Sequence, residues 1–321
     1  MAKRFTINPE KVAENRRRNF VHATVLISAI VLLLGAVGFM IAGVAGLIWI
    51  ATFGFLAMML GPRLSQQVML QMYSATELKP QQVPMLFELV DELCERGGIK
   101  RRPRLFYIPS RLMLAFTVGG RDDIIIAVSD GLLRQLTGRE IAGVLAHELA
   151  HVAHGDLKLM ALADFMTKIT RFLALVALLL LLVNLPYLQE EGVAIPWPPI
   201  ALLAAAPALS LLLQLGLSRA REYDADAGAA MLTGDPGGIA SALVKMDAQQ
   251  RRYWENIFGR QGSIDQPSLL RSHPKTDERV RMLEEMVIEE DDGMDLPDNF
   301  IPGGRDEVRK SPRRRYHGFR Y

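Results

Sequence analysis

The distribution of apolar residues divides this chain into alternating membrane-type and soluble-type stretches. From Val21 to Leu60 there is no Asp, Glu, Lys or Arg. At about 20 residues per crossing, that run predicts two transmembrane helices. They turn near Phe39–Gly46, where Gly43 and Gly46 allow a tight connection, and Pro62-Arg63 closes the hairpin. A cleaved leader would carry an apolar core of only about 7–15 residues and a small-residue cleavage site, so the long run does not fit one. A second apolar pair spans Phe172–Leu188 and Pro196–Leu217, the latter with Pro207 inside. Tyr187 and Trp197 stand where interfacial aromatics belong. The loop between them contains Gln189-Glu190-Glu191 and no basic residue, whereas Lys168, Arg171, Arg219 and Arg221 flank the other ends. The positive-inside rule then puts the N-terminus, the soluble part and the C-terminus in the cytoplasm, with both hairpin loops outside.

Between the hairpins the periodicity changes. Thr76 to Arg96 reads as an amphipathic helix, with Val83, Leu86, Phe87, Val90 and Leu93 at helical spacing and Gly97-Gly98 ending it. Arg104–Ile108 is strand-like, and Leu114–Val118 with Ile124–Val128 reads as a hairpin around Gly119-Gly120. A small mixed sheet packed on the helix that follows is the natural inference. Its edge is either a site for strand addition by an extended peptide or simply part of the core, and both readings stay open. Downstream, a helix starts at Ile239–Met246, Trp254–Pro267 is loop-rich, and Thr276 caps a further helix whose first turn carries Asp277 and Glu278. The last residues run from acidic (Glu289 to Asp292) to basic (Arg313 to Arg315), with interspersed Gly and Pro. That composition predicts a disordered tail able to touch anionic lipid. The resulting division is an N-terminal segment 1–20, a hairpin 21–62, a soluble domain built from 63–166 and 218–286, a second hairpin 167–217 and a tail 287–321.

The chemistry concentrates in Gly143-Val-Leu-Ala-His147-Glu148-Leu-Ala-His151-Val-Ala-His154-Gly155-Asp156. Thr137 and Glu140 make a capping box, Ala and Leu fill the interior, and Gly155 supplies a stop. On that helix His147 and His151, four residues apart, leave the same face. Two neutral imidazoles so placed can grip one Zn²⁺ at about 2.0–2.1 Å each. Glu148 is placed to accept a proton from the water that such a metal activates. His154 lies seven residues from His147, about 10.5 Å along the axis, and is out of reach of the same ion. The third ligand therefore comes from another segment. Ser218-Arg-Ala-Arg-Glu222-Tyr-Asp-Ala-Asp226 offers two carboxylates on one helical face, one to bind metal and one to hold a ligand imidazole by its free N–H. A solvated acidic turn paired with Arg219 and Arg221 would explain the charges, but not the Ala-rich context. His273, just before the Thr276 helix, is by itself more in keeping with a structural role.

Composition narrows the rest. The chain has 321 residues, 50% of them hydrophobic, and a mean hydropathy of +0.15, which suits one catalytic domain with membrane spans. A net charge of +2 gives no argument for a nucleic-acid partner. Cys94 is the single cysteine, so there is no intrachain disulfide and no thiolate metal cluster.

Taken together, His147-Glu-Leu-Ala-His151, Ser218-Arg-Ala-Arg-Glu222-Tyr-Asp-Ala-Asp226 and Ser272-His273-Pro274 with Arg279 resemble the three motifs of HtpX-type membrane zinc metalloproteases, relatives of the CAAX prenyl endopeptidases. The likeness covers roughly residues 15–285. It implies an α-helical membrane protein with four spans in two hairpins and an α+β zincin-like (gluzincin) catalytic domain. It implies one Zn²⁺ on His147, His151 and Glu222, with Glu148 as general base and Asp226 in support. His273 and Arg279 would lie near the oxyanion or the substrate. The family usually has Asn-Ala-Phe where this chain has Leu114-Ala115-Phe116, so the amide of that substrate-contacting segment is missing. The implied role is cleavage of membrane or misfolded proteins at the cell (inner) membrane, as part of quality control. Prenyl-protein processing is the alternative chemistry, and a zinc-bearing chaperone or adaptor would not need Glu148. Against a third reading, an intramembrane protease, stand Arg139-Glu140 on one side and His154, Asp156 and Lys158 on the other, which leave too short an apolar window.

Overall fold

The structure, a computed structural model, describes residues 3–7, 9–120, 123–190, 197–258 and 275–292. A short strand, β1 (Lys3–Ile7), leads into the helical segment α1 (Pro9–Met72). This segment is not a straight rod. Ala42 (φ −142°, ψ 22°) and Gly43 (φ 57°, ψ −138°) break it, the second with angles that glycine alone adopts readily. Past the break the chain doubles back. A Cβ added at Gly46 would run into the Gly38 carbonyl, and one added at Gly35 would touch Leu47. Residues twelve apart in a straight helix would be separated by about 18 Å, so the turn of the first hairpin is at Ala42-Gly43, within the expected window.

The next apolar helices are α5 (Asp156–Glu190) and α6 (Trp197–Thr233). Both exceed the apolar stretches read from sequence. No residue between Asp156 and Phe172 breaks a helix, and the segment after Leu217 is Ala-rich until Thr233, where Gly234 takes φ 67°. Among the described residues three helical stretches are long and apolar enough to cross a membrane: Ala13–Met40, Asp156–Val183 and Ile200–Thr233, with a shorter apolar helix at Ala42–Leu56. They share a core in which Ala23, Ile30 and Leu34 of α1 meet Ala163 and Met166 of α5 and Leu217 of α6.

The remaining elements form the α+β part. Strand β2 (Thr76–Glu77) precedes helix α2 (Pro84–Arg96), so the single helix expected over Thr76–Arg96 is wrong in its first half. Pro84 is the reason: it sits in the first helical turn, where the missing N–H does no harm. Strands β3 (Arg104–Ile108), β4 (Ala115–Gly120) and β5 (Asp123–Ser129) follow, then α3 (Asp130–Gln135) and α4 (Gly138–His154). The sheet order is β2-β3-β5-β4, with β3 and β5 parallel and the other pairs antiparallel. The mixed sheet is thus as expected, with β4 at an edge. The uninterrupted Ile124–Val128 run reflects burial on both faces. Ile126 and Val128 join Leu105 in the core shared with α2, α3 and α4. Phe106, Ile108, Ile125 and Ala127 face Met69 and Leu70 at the end of α1 and Tyr73 just past it. The first hairpin therefore runs on into the α+β part, as the roof of its sheet.

Helix α4 is central. Its capping box forms as the sequence predicts, with the Thr137 N–H donating to Glu140 at 2.8 Å, and it ends at Gly155, φ 74°. Ile141, Leu145 and Leu149 are fully buried along it. Helices α7 (Pro236–Phe258) and α8 (Thr276–Glu284) complete the cluster. α7 extends through Trp254 into the stretch read as loop-rich. Thr276 is the first residue of α8 rather than its cap, which is Lys275. Val287–Asp292 forms β6, antiparallel to β1, with Lys3 and Arg4 in register with Asp292 and Asp291. The tail expected from residue 287 thus begins with an ordered strand. Its partner comes from the opposite end of the chain, which composition does not reveal. Residues 293–321 lie outside the described residues.

Because Leu145 of α4 is fully buried in the core that this helix shares with the sheet, Leu145→Ala is expected to destabilise the fold by about 2–5 kcal/mol. A melting temperature in detergent equal to that of the parent would contradict this placement.

Candidate metal centre

Helix α4 presents His147 and His151 toward α6, and the approach of the two helices depends on small residues. A Cβ added at Gly228 would lie 2.7 Å from the Ala150 Cβ, so any larger side chain would push α6 away. At this distance Glu222 reaches both histidines. His147 Nε2 lies 3.5 Å from Glu222 Oε2, His151 Nε2 lies 3.9 Å from Glu222 Oε1, and the two Nε2 atoms are 3.2 Å apart. The three ligand atoms fall within 4.8 Å of one another. Tetrahedral zinc with bonds of about 2.0–2.1 Å needs donors about 3.3 Å apart. Two imidazoles and a carboxylate in this arrangement fit that requirement.

Behind each imidazole stands a carboxylate. His147 Nδ1 is 3.0 Å from Asp226 Oδ1, although the contact is skewed from hydrogen-bond alignment. His151 Nδ1 is 2.8 Å from Asp156 Oδ2. Such partners fix which ring nitrogen faces a metal. Asp226 is fully buried and takes a two-pronged bond from Arg279, at 2.7 Å from Nε and 2.6 Å from Nη2. Arg279 Nη1 also stands 3.3 Å from Glu222 Oε2. Its guanidinium therefore serves both Asp226, behind His147, and Glu222 itself. The cause is electrostatic: two carboxylates taken out of water require a cation. Loss of Arg279 would leave them uncompensated, at a cost of about 3–5 kcal/mol.

Glu148, next to the first histidine, is half-buried and accepts a 2.8 Å hydrogen bond from Thr117 Oγ1 on β4. Alternation along β4 puts Ala115 and Thr117 on the α4 side, while Phe116 turns to the other face and packs on Tyr73, ring centroids 5.3 Å apart. His154 lies toward Asp224, beyond the ligand cluster. His273 falls outside the described residues. Glu222 and Asp226 are not a solvated turn, since both are buried. Sequence reasoning missed Asp156, Arg221 and Thr117. The available signal for Asp156 was the Gly155-Asp156 turn, which returns a carboxylate toward the preceding helical face.

Burial by itself would lower the His147 pKa, but Asp226 and Glu222 beside it outweigh that and push it up to about 10 from 6.5. A raised pKa stabilises the fold fully below the ordinary value, and that contribution disappears as pH climbs through the folded one. Metal-stripped protein should therefore melt at progressively lower temperature as pH is raised from 6.5 to about 10. The slope should be absent in His147→Asn, and equal slopes in the two proteins would refute the assignment.

The peptidase family M48 model matches residues 80–287. The Protease HtpX homolog of Desulforapulum autotrophicum is 34% identical over 236 residues, covering 73% of this chain and 76% of that protein. The Protease HtpX homolog of Ralstonia nicotianae is 32% identical over 283 residues, covering 84% of this chain and 97% of its counterpart. Among solved structures, the crystal structure of S. mikatae Ste24p is similar with a TM-score of 0.53 at 20% identity, covering 88% of this chain and 68% of that one. At that identity the likeness speaks to the fold. The histidine pair, the facing carboxylate and the extent of the family match lead to one conclusion: the chain belongs to peptidase family M48 and is a metalloendopeptidase.

Proposed function

We propose that this protein is an integral-membrane zinc endopeptidase that holds one Zn²⁺ on His147, His151 and Glu222. Its substrates are peptide bonds of membrane or misfolded proteins, in membrane quality control. The observation that carries the reading is the convergence of three ligand atoms from α4 and α6 with Glu148 alongside. Bound zinc would supply Lewis-acid polarisation of the scissile carbonyl and a more acidic water.

The chain's own groups do the rest. Glu148 takes the proton that the attacking water gives up and returns it to the leaving amine. Thr117 holds the Glu148 carboxylate through a hydrogen bond to Oε2. Asp226 and Asp156 set the two imidazoles with Nε2 toward Glu222, and Arg279 balances the charge behind them. His273 is assigned as donor to the developing oxyanion on the strength of the family resemblance. In the bilayer, four helices cross as two hairpins, the shorter Ala42–Leu56 included. The protein resides in the cell (inner) membrane with termini and catalytic domain cytoplasmic, as the positive-inside rule directs.

Glu148→Gln preserves shape and removes the proton acceptor. The variant should keep about one equivalent of zinc while losing at least 10²-fold in proteolysis of casein or a membrane substrate. Cleavage at the parent rate would exclude Glu148 as the base. Sequencing the products made from an unfolded membrane protein and from a prenylated peptide distinguishes general endoproteolysis from prenyl-protein processing. The first is expected to give cuts at many sites, and a single cut in the prenylated peptide alone would favour the second.

For the topology, reporter fusions after Arg63 and at the C-terminus should read cytoplasmic, and a fusion near Glu190 external. A cytoplasmic signal at Glu190 would reject the second hairpin.

A further inference from the structure

A buried polar path leaves the second histidine and ends on the first membrane helix. His151 Nδ1 meets Asp156 Oδ2 at 2.8 Å, and Arg221 Nε donates to the other oxygen of Asp156 at 2.6 Å. Arg221 Nη1 pairs with Asp224 Oδ2 at 2.7 Å, and Asn19 Nδ2 donates to Asp224 Oδ1 at 2.8 Å. Asp156, Asp224 and Asn19 are 2%, 6% and 4% exposed. Each oxygen of the two carboxylates in this path has its own partner, so rotation of any member breaks a bond elsewhere.

An amide buried in an apolar helix carries a desolvation penalty unless it is paired. Here the pairing spans 205 residues of sequence. In low dielectric a fully satisfied chain of this kind is stiff and orients what lies at its end. Its end is a metal-binding ring. We propose that Asn19 is a positioning residue for His151, acting through Asp224, Arg221 and Asp156, so that the seating of the first membrane helix against α6 sets how firmly the metal is held. The inference rests on the zinc assignment above and extends the support of the site from the catalytic domain into the bilayer anchor.

The test uses the full-length zinc-loaded protein in detergent. Asn19→Leu keeps the branching at Cγ and removes the donor, and Asn19→Ala is the second variant should the first not fold. Partners in direct contact with a metal ligand are typically worth 10–100-fold in metal affinity or activity. For a residue further along the path, at least about threefold faster zinc loss to a chelator is expected, against a larger acceleration in Asp156→Ala. Cobalt-substituted Asn19→Leu should show visible ligand-field bands displaced in the same direction as those of Asp156→Ala. Ser210→Ala is the control, because it removes another buried polar contact between membrane helices, 3.1 Å to Thr167, away from the path. It should lower the melting temperature and leave both readouts at parent values. Zinc loss less than about threefold faster, unshifted cobalt bands, or equal effects in Ser210→Ala would each overturn the positioning role. Failure of the parent protein to hold one equivalent of metal would instead overturn the zinc assignment.

Discussion

Everything at this site depends on the close crossing of α4 and α6. Small residues at the contact, Ala150 and Gly228, let the helix carrying Glu222 come within ligand distance of the helix carrying His147 and His151. That closeness brings several charges into a space with little water. The structure balances them in pairs: Arg279 on Asp226 and Glu222, and Arg221 on Asp156 and Asp224. Buried ion pairs are weak evidence of net stability, because desolvation offsets much of their attraction. Their value here is orientation. Two-pronged and two-sided bonds hold the carboxylates, and the carboxylates hold the rings.

The second consequence concerns the boundary between membrane and enzyme. Helices α5 and α6 run without interruption from apolar stretches into the site, and α6 itself bears Glu222. The end of α1 and the residue after it roof the sheet through Met69, Leu70 and Tyr73. The catalytic part is therefore not a domain tethered by a linker. Any tilt of α6 relative to α4 would change the distance between Glu222 and the histidines. Close contact also explains why glycine recurs at the helix crossings, where a single Cβ would displace a neighbour.

Much was legible in the sequence because it is governed by local periodicity. Absence of charge over a long run reveals apolar helices, and a break at Ala42-Gly43 follows from the glycine within it. The capping box at Thr137 and Glu140 and the stop at Gly155 are short-range interactions, written in residues a few positions apart. The spacing of His147 and His151 is a property of one helix. Glu222 and Asp226 could be proposed for the same reason, although their separate stations beside the histidines could not be assigned from spacing.

What tertiary structure alone decided are the contacts between distant segments. Arg279 meets Asp226 across 53 residues of sequence, Arg221 meets Asp156 across 65, and Asn19 meets Asp224 across 205. Pairing of β1 with β6 belongs to the same class. No local pattern encodes such partners, since an arginine or aspartate on a helix looks the same whether it faces solvent or a buried opposite charge. Even Thr117, on a strand that periodicity identified, meets Glu148 only because the register of β4 on β5 and the packing of the sheet on α4 bring the two together. The sequence determined which residues bear the chemistry and on which elements they ride. The packing of those elements decided what stands behind each one, because desolvation makes every buried charge find a partner wherever in the chain it lies.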